Sequence, residues 1–320
     1  MKDDNNMALD FAKQRGELAT RDGFGEALEK IGANKDIVVL DGDLSDSNRS
    51  IRFAKRYPER FFPMGISEAD MVCTAAGMAT CGKIPFVTSF ASFLSGRAYD
   101  QILVSVAYSN MNVKLVGSHA GIATGEDGPS AQCITDMAVF RAMPNMSVIS
   151  PADSVEAAKA TEYIASRNGP VYLRLTRPKT RIIFDDDYAF KFGRAAKLVD
   201  GSDITIIATG ILVPEAIEAA SMLEKDGIST GVLNMSTIKP IDKDAVKAAK
   251  DLIVTCEDHN IIGGLGSAVA EIVAEHRPTR ILRIGIDDRF EESGSYRDLY
   301  HKYGLDAEGI AAKIKKFYTG

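Results

Sequence analysis

Short runs of β-branched and other apolar residues alternate along the chain with longer segments in which apolar positions recur every three or four residues. Such an alternation predicts parallel β-strands that are joined by helical crossovers. In the first part of the chain it predicts strands at residues 37–40, 84–89, 112–117, 146–150 and 170–175. It also predicts helices that begin near Arg21, Glu68, Arg97, Gln132 and Asp153.

The alternation stops between about residues 176 and 202, where the sequence TRPKTRIIFDDDYAFKFG is charged and irregular. We interpret this segment as a connection between two domains. The alternation then resumes, with strands predicted at residues 203–209, 229–234, 252–256 and 280–285. We therefore predict two consecutive doubly wound α/β domains with mainly parallel sheets, residues 1–190 and 191–320. In such sheets, ligands bind beyond the carboxyl ends of the strands.

The bulk properties of the chain fit two soluble domains. Its 320 residues exceed the usual size of one hydrophobic core, and 45% hydrophobic with 26% charged residues is an ordinary globular composition. A net charge of −6 argues against a nucleic-acid partner. The start MKDDNNMALD has neither the basic nor the apolar stretch of a secretory signal, and no apolar run is long enough to span a bilayer. We expect a cytoplasmic protein without nucleic-acid or membrane partners.

The cysteines add little chemistry. Cys73, Cys81, Cys133 and Cys256 show neither the paired spacing of metal ligands nor a disulfide pattern. Their spacing fits a reducing compartment. Cys73 and Cys81 fall in a helical stretch of small residues, where we predict buried free thiols.

Residues 117–132, GSHAGIATGEDGPSAQ, contain four glycines, a histidine and an acidic pair directly after a predicted buried strand. Glycine lets a backbone approach a ligand closely, and the N-terminus of a following helix can receive an anion. The alternative is a tight surface loop. Neither the Walker nor the Rossmann spacing of glycines is present.

Two further segments place an acid or aromatic rings near predicted strand ends. Glu68, in MGISEADM, begins an apolar helix, where an acid is typical of helix capping. In a poorly solvated place, however, the same carboxylate can exchange a proton. Phe90 and Phe93, in TSFASFLSGRAYDQ, are compatible with the core or with stacking on a flat heterocycle. Arg97 and Asp100 have the helical spacing of a local ion pair.

The order of these segments resembles the transketolase family. The resemblance rests on Gly-Ile-Ser-Glu around Glu68, on the pair Phe90 and Phe93, and on GEDGP followed by PNM and SPAD. It extends from LATRDGFGEALEKIG to FEESGSYRDLYHKYGL and covers the pyrimidine-binding and C-terminal domains of the family. It implies the C-terminal subunit of a split transketolase, which moves a two-carbon ketol unit from a ketose phosphate to an aldose or aldose phosphate.

Thiamin diphosphate is the cofactor that this resemblance implies. In the family a glutamate, here Glu68, hydrogen-bonds a ring nitrogen of the aminopyrimidine, which makes Glu68 the implied catalytic residue. Phe93, with Phe90 beside it, is expected to pack on the pyrimidine ring. Asp43 and Leu44 are implied cofactor contacts on a neighbouring loop. The protein's part is to position the cofactor and to tune its protons.

The resemblance also implies residues that bind the sugar substrates. Arg21, Ser47, His119 and Arg177 match family positions that hold the sugar phosphate, and Asp127 matches one that binds a sugar hydroxyl. A guanidinium group suits a phosphate better than an ammonium group does, because it donates in a planar fork.

Two positions depart from the family pattern. Where GEDGPTHQ is common in the family, this chain reads GEDGPSAQ, so that Ala131 replaces the histidine that touches the donor sugar. Gly96 stands where a tyrosine is often found, and GRAYDQ is similar to 1-deoxyxylulose-5-phosphate synthase instead. Both departures concern the identity of the substrate more than that of the cofactor.

A family motif for the metal and the diphosphate, Gly-Asp-Gly followed at a distance by Asn, is missing from the sequence, since Asp41-Gly42-Asp43 has the reverse order. No metal ligands are therefore assigned to this chain. The Mg²⁺ or Ca²⁺ ion is expected on a partner, an N-terminal transketolase subunit, in an assembly with two of each chain. The expected ligands are phosphorylated sugars.

Three alternatives remain open from the sequence. The β-subunit of a 2-oxo acid dehydrogenase has the same two domains, although GEDGP and the implied phosphate ligands argue against it. A non-catalytic partner is a second alternative, against which the intact Glu68 and Phe93 argue. The third is a transketolase-like enzyme for an unusual sugar, which Ala131 keeps open.

Overall fold

Two sheets, one of seven strands and one of five, organise the computed structural model, which describes residues 16–319. A small two-stranded sheet pairs β1 with β8. The strands, numbered in chain order, are β1 (Glu17–Leu18), β2 (Ile37–Asp41), β3 (Phe61–Pro63), β4 (Ile84–Phe90), β5 (Lys114–Ser118), β6 (Ser147–Ile149), β7 (Val171–Arg174), β8 (Thr180–Arg181), β9 (Ala196–Val199), β10 (Ile204–Ala208), β11 (Thr230–Asn234), β12 (Thr237–Lys239), β13 (Leu252–Asn260) and β14 (Arg280–Ile286).

Helices follow most of these strands and cover the sheets. The α-helices are α1 (Thr20–Ile31), α2 (Ser45–Asn48), α3 (Ile51–Arg56), α4 (Glu68–Thr80), α5 (Ala91–Arg97), α6 (Tyr99–Gln101), α7 (Asp136–Ala142), α8 (Ser154–Ser166), α9 (Leu212–Lys225), α10 (Lys243–Ala248), α11 (Leu265–His276), α12 (Tyr296–Tyr303) and α13 (Ala307–Thr319). Two 3₁₀-helices span Pro58–Arg60 and Ile122–Asp127, and a π-helix spans Ile102–Tyr108.

The first sheet has the strand order β12-β6-β7-β5-β4-β2-β3, and all its pairs are parallel except that of β12 with β6. The second sheet has the order β14-β13-β10-β11-β9, with only β9 antiparallel. Two α/β domains with mainly parallel sheets are therefore confirmed, and every strand predicted from the sequence is present. The added strands β3, β9 and β12 are three or four residues long.

Strand β2 shows why the central strands read as continuous apolar runs. Ile37 and Val39 pack with α1 and α8 on one face of the sheet, while Val38 and Leu40 pack with α4 on the other. All four side chains are buried. A strand that is covered on both faces has no solvent side, so its sequence lacks polar alternation.

Two of the predicted helix starts are displaced. The helix expected near Arg97 begins at Ala91, directly at the end of β4, and Arg97 is its last residue. The helix expected from Gln132 begins at Asp136. The chain first makes a tight turn, in which the Gln132 N–H donates to the Gly128 carbonyl (3.0 Å).

The predicted burial of two thiols is wrong. Cys73 and Cys81 are exposed on α4 and just beyond its end, whereas Cys133 and Cys256 are buried. The Sγ of Cys73 lies 4.0 Å from Ser105 Oγ on the neighbouring π-helix. The small residues of α4 thus lie at a surface as well as in the core. No helix within residues 16–319 has the length and apolar character needed to cross a membrane.

Glu156 connects the two domains. Its N–H is capped by Asp153 Oδ1 (2.8 Å) at the start of α8. Its fully buried carboxylate accepts hydrogen bonds from the Ala152 N–H (2.8 Å), from Tyr188 Oη (2.9 Å) and from Nδ2 of Asn234 on β11 (2.9 Å). An acid on a helix of the first domain therefore binds a strand of the second.

Candidate active site

The predicted site residues follow five neighbouring strands of the first sheet. In the order β7-β5-β4-β2-β3, the segments at the carboxyl ends carry Arg177, His119, Phe90, Asp43 and Glu68. Carboxyl ends of parallel strands meet at one edge of a sheet, which is the usual location of ligands in this architecture. The sheet therefore brings together residues that are far apart in the sequence.

Glu68 is the first residue of α4, and its side chain is only 3% exposed. Its Oε1 accepts hydrogen bonds from Arg97 Nη1 (3.0 Å) and Ser89 Oγ (3.5 Å). The expected ion pair of Arg97 with Asp100 is replaced by this contact, because α5 ends beside the start of α4. Among residues 16–319 no hydrogen bond is donated to Oε2, which leaves that oxygen able to accept one from a ligand.

Aromatic rings lie next to this carboxylate. The rings of Phe90 and Phe93 are stacked with centroids 5.4 Å apart, and both side chains are only partly buried. The Arg97 guanidinium lies 3.8 Å from the centroid of Phe93. Phe90 also stacks on the imidazole of His119 (3.9 Å between centroids). The rings form a partly open apolar platform that suits a flat heterocycle.

The loop after β2 is held by Asp41, which is almost fully buried. Its carboxylate accepts hydrogen bonds from the Leu44 N–H (2.7 Å), Ser50 Oγ (2.8 Å) and Thr88 Oγ1 (2.6 Å). Asp43 is exposed and has a φ of 66°, in the left-handed region that Asp tolerates better than most residues. Asp41 thus fixes the loop, while Asp43 and Leu44 are presented by it.

His119 is buried, with its Nδ1 2.9 Å from Ser118 Oγ and a φ of 57°. Burial, reinforced by the nearby positive charges of Arg21 and Arg177, lowers the pKa of His119 to about 3. The imidazole is therefore neutral near pH 7, and it can donate or accept a hydrogen bond without adding charge.

Two arginines define a basic region beside His119. Arg21 Nη1 donates to the Ser47 carbonyl (2.9 Å), so Ser47 contributes its backbone here. The Nε of Arg21 is buried, and no residue from 16 to 319 forms a hydrogen bond with it. Burial and, next, the charge of Arg49 lower the pKa of Arg21. Such a cation, short of acceptors and close to like charges, favours an anionic ligand.

Arg177 is tied to the glycine-rich loop. Its Nη1 donates to the Thr124 carbonyl (2.7 Å) and to Glu126 Oε2 (2.8 Å), and it lies 3.8 Å from Asp127 Oδ1. Asp127, predicted as a sugar ligand, is exposed at this place. The guanidinium therefore has carboxylates on one side, which fixes its position relative to the loop.

A cavity of about 300 Å³ opens between Arg21 and Arg177. Its wall is completed by Lys179 and by Tyr296 and Arg297 of α12, which belongs to the C-terminal part of the chain. Four cationic side chains thus line this cavity, together with Glu17 and Glu126. The excess of positive charge in a protein with a net charge of −6 marks the place where an anion is attracted.

Ala131 lies buried in the turn that follows the glycine-rich loop, with its N–H donating to the Gly128 carbonyl (3.0 Å). Two residues later, the Cys133 carbonyl accepts the Gly121 N–H (2.8 Å). This hydrogen bond holds Cys133 beside Gly121, which follows His119 by two residues. The position of Ala131 is therefore set by the same loop that carries the predicted substrate ligands.

Two residues of this region escaped prediction. Arg97 was expected to pair within its own helix, yet its spacing of four residues from Phe93 is the one that brings a side chain back over a ring. Asp41 was considered only as part of a reversed motif. An acid in the last position of an otherwise apolar strand was the signal that it holds the following loop.

Comparison with known proteins agrees with this geometry. The family "Transketolase, pyrimidine binding domain" matches residues 16–182, and the family "Transketolase, C-terminal domain" matches residues 193–310. A putative transketolase C-terminal section from Methanocaldococcus jannaschii is 49% identical, over 92% of this chain and 94% of that protein. A 6-deoxy-6-sulfo-D-fructose transketolase subunit from Clostridium sp. strain MSTE9 is 42% identical, over 95% and 96% of the two chains.

Among solved structures, a split-gene transketolase described as an inactive β4 tetramer is similar, with a TM-score of 0.87 and 42% identity. The similarity covers 95% of this chain and 99% of that one. Human transketolase is 37% identical, and this chain covers only 51% of its length. The chain therefore belongs to the transketolase family and corresponds to its C-terminal section, the pyrimidine-binding domain followed by the C-terminal domain.

Proposed function

We propose that this transketolase subunit supplies the pyrimidine-binding half of a thiamin-diphosphate site and transfers a two-carbon ketol unit between sugars. Membership of the family implies use of thiamin diphosphate, which supplies the carbanion chemistry when it is bound. The observation that carries the proposal is the buried carboxylate of Glu68, with one oxygen held by Arg97 and the other open, beside the rings of Phe90 and Phe93.

The residues present fit the aminopyrimidine. Phe93 and Phe90 offer the ring platform, and Asp43 and Leu44 lie on the adjacent loop fixed by Asp41. Glu68 accepts a hydrogen bond from a ring nitrogen through Oε2 and holds that proton at the ring. The positive end of α4 and the Arg97 guanidinium compensate the charge of this buried carboxylate.

A partner chain is expected to cover the site. Ile66, two residues before Glu68, is 72% exposed, and Val104 and Tyr108 on the neighbouring π-helix are 51% and 83% exposed. With the exposed Cys73 on α4, they form a surface of apolar and small residues, which is typical of protein interfaces. We propose that an N-terminal transketolase subunit binds there, brings the Mg²⁺ or Ca²⁺ ion and the diphosphate ligands, and assembles two of each chain.

Phosphorylated sugars are the proposed substrates, with a ketose phosphate as donor and an aldose or aldose phosphate as acceptor. Arg21 and Arg177 would bind the phosphate in the basic cavity, and His119 would donate a hydrogen bond from a neutral ring. Ser47 orients Arg21 through its carbonyl, and Asp127 is the proposed ligand of a sugar hydroxyl. The buried Nε of Arg21, which has no hydrogen-bond partner in the described part of the chain, supports this assignment.

A second candidate is a donor other than the usual ketose phosphate. It is favoured by Ala131 and by the 42% identity with the Clostridium subunit, whose name specifies 6-deoxy-6-sulfo-D-fructose. A terminal sulfonate would meet the same basic cavity as a phosphate, since both are tetrahedral anions. The alternative of a 2-oxo acid dehydrogenase β-subunit is disfavoured by the matches to transketolases over most of the chain.

We further propose that the protein is cytoplasmic, that it serves pentose phosphate metabolism, and that the domain boundary lies near residue 190. The functional test is reconstitution. The chain is mixed with an N-terminal transketolase subunit, and ketol transfer is measured with xylulose 5-phosphate and with 6-deoxy-6-sulfo-D-fructose as donors. Transfer only in the mixture supports the proposal, and no transfer from either donor in a stable mixture contradicts it.

A further inference from the structure

Asp258, on β13 of the second domain, reaches into the site of the first. It is 2% exposed, and its two carboxylate oxygens accept two consecutive backbone N–H groups, those of Ile122 (2.9 Å) and Ala123 (3.1 Å). The hydroxyl of Tyr300 on α12 donates to the same carboxylate (2.9 Å). A buried acid that accepts three hydrogen bonds is held firmly in one place.

The segment that Asp258 holds is the glycine-rich loop between His119 and Asp127. Thr124 Oγ1 donates to the His119 carbonyl (2.7 Å), and the Thr124 carbonyl accepts from Arg177. The position of Ile122 and Ala123 therefore sets where the proposed phosphate ligands stand relative to one another. A displacement of this short 3₁₀ segment would move His119 and Arg177 together.

Gly121 shows how close the two domains come at this point. It has a φ of 78°, and a Cβ atom built there would lie 2.1 Å from Asp258 Oδ2. No side chain fits this position, so the carboxylate occupies the space that a larger residue would need. The contact is therefore part of the loop's conformation.

The second domain contacts the same loop again toward its end. Ser293 Oγ donates to the Glu126 carbonyl (2.6 Å), and Gln132 Nε2 donates to the Glu292 carbonyl (3.0 Å). These contacts come from the segment that precedes α12. Residues of the C-terminal domain thus contact the loop at Ile122, Ala123 and Glu126, and again at Gln132 just after it.

A buried cation, Arg174 at the end of β7, lies near Asp258 in the domain interface. It donates through Nη2 to the backbone carbonyl of Asp258 (2.8 Å) and pairs through Nε with Asp136 (2.8 Å). Burial raises the pKa of the Asp258 carboxyl, whereas the charge of Arg174 and the N–H groups of Ile122 and Ala123 lower it. The cost of burying this acid against the loop is therefore offset in part by the groups around it.

We infer that Asp258 is a positioning residue for substrate binding, through which the C-terminal domain sets the geometry of the basic sugar-anion site. This inference rests on the proposed function for the identity of the substrate, but the loop contact itself does not depend on it. Asp258 does not touch the cofactor position, so it should act on the binding of the sugar donor and leave cofactor activation unchanged.

The test compares Asp258→Asn with a matched control, Glu257→Gln. Glu257 is the preceding residue, equally buried, and it also accepts two consecutive N–H groups, those of Leu265 (2.7 Å) and Gly266 (2.8 Å) at the start of α11. Asn keeps one acceptor but turns an N–H toward the second backbone donor. Both variants lose a buried carboxylate that accepts two backbone N–H groups, but only Asp258→Asn should loosen the glycine-rich loop.

Hydrogen exchange of the full chain, measured by mass spectrometry, is the first readout. We expect Asp258→Asn to speed exchange in peptides that cover residues 120–127, and Glu257→Gln to speed it only near residue 265. In the assembled enzyme, Asp258→Asn should raise the KM for the sugar donor about 5- to 100-fold, the range for one buried donor without its acceptor. Exchange of the cofactor's thiazolium proton should not change.

If Asp258→Asn does not fold, Tyr300→Phe, which removes one of the hydrogen bonds to Asp258, should show the same pattern with a smaller amplitude. Unchanged exchange in residues 120–127 would overturn the inference, whatever the substrate proves to be. A loss of turnover at unchanged KM would also overturn it. If exchange rises as expected but no sugar is transferred by the wild-type assembly, the proposed function fails and the loop contact stands.

Discussion

Arg97 Nη1 lies 3.0 Å from Glu68 Oε1, and the same guanidinium lies 3.8 Å from the ring centroid of Phe93. One side chain thus contacts both the candidate proton-exchanging group and the candidate ring platform. Glu68 is almost completely buried and Arg97 is about half exposed. The guanidinium of Arg97 therefore compensates the carboxylate charge of Glu68 at the edge of the site. The arrangement fixes one carboxylate oxygen and leaves the other for a ligand.

Glu68→Gln should keep the fold and lower turnover by about 10²–10⁴-fold, the range for a lost acid–base role. Glutamine still forms hydrogen bonds, but it cannot carry the charge that favours a proton on the pyrimidine ring. Hydrogen–deuterium exchange at the thiazolium carbon of the assembled enzyme is the direct measurement. An exchange rate equal to that of the wild type would remove Glu68 from this role.

Arg97→Ala should leave Glu68 without its cation and Phe93 without its cover. A hydrogen bond to a charged group contributes about 1.5–3 kcal/mol, so we expect thiamin diphosphate to bind roughly 10- to 150-fold more weakly. Arg97→Lys is the matched control, because it keeps the charge and loses the planar stacking. Cofactor titration of the assembled enzymes decides the point. Equal affinities for the alanine variant and the wild type would show that the pair is not part of the site.

The features that could be predicted from the sequence are those that local patterns encode. The strands of IVVL type and the residues at their carboxyl ends were predictable, because a buried parallel strand is a short apolar run and its loop follows directly. The Glu68–Arg97 pair was not, because the partners are 29 residues apart and depend on how α5 meets α4. The contact of Asp258 with Ile122 joins residues of two domains that are 136 positions apart, and no local sequence pattern predicts it.

The exposed thiols of α4 have a related cause. A helix of small residues looks the same in the sequence whether its outer face packs in the core or against another chain. The sequence therefore predicts a buried Cys73. In the structure Cys73 is exposed, beside Ser105 of the neighbouring π-helix.

Ala131→His is expected to improve the use of xylulose 5-phosphate. Alanine makes no side-chain hydrogen bond to a donor hydroxyl, and one such neutral bond is worth about 0.5–1.5 kcal/mol. The wild type should therefore show measurable activity with a raised KM, which the histidine lowers. Both proteins are assayed across a panel of ketose phosphates and 6-deoxy-6-sulfo-D-fructose. If Ala131→His lowers the activity with every donor tested, the site requires the small side chain at position 131.

Glu156 should make stability depend on pH. Burial raises its pKa from 4.5 to about 7, so the folded state holds its proton more tightly than the unfolded state does. Its contribution to stability is fully present below pH 4.5 and is lost as the pH rises through about 7. As the pH rises, the wild type should lose about 1–3 kcal/mol of unfolding free energy through this group, and Glu156→Gln should not show that loss.

Chemical denaturation of the wild type and the variant at about pH 5 and pH 8 measures the effect. Glu162→Gln, at a partly exposed position of the same helix, is the control and should change nothing. A variant whose stability falls with rising pH as steeply as that of the wild type would show that Glu156 is not the group responsible.

The most direct test of the two-chain site is calorimetric titration of thiamin diphosphate and Mg²⁺ into the purified chain, with and without the N-terminal transketolase subunit. We expect no tight binding by the chain alone, because the metal and diphosphate ligands are expected on the partner. Once the two chains are mixed, we expect tight, magnesium-dependent binding. If the chain alone binds the cofactor tightly with magnesium, the site is not shared between two chains.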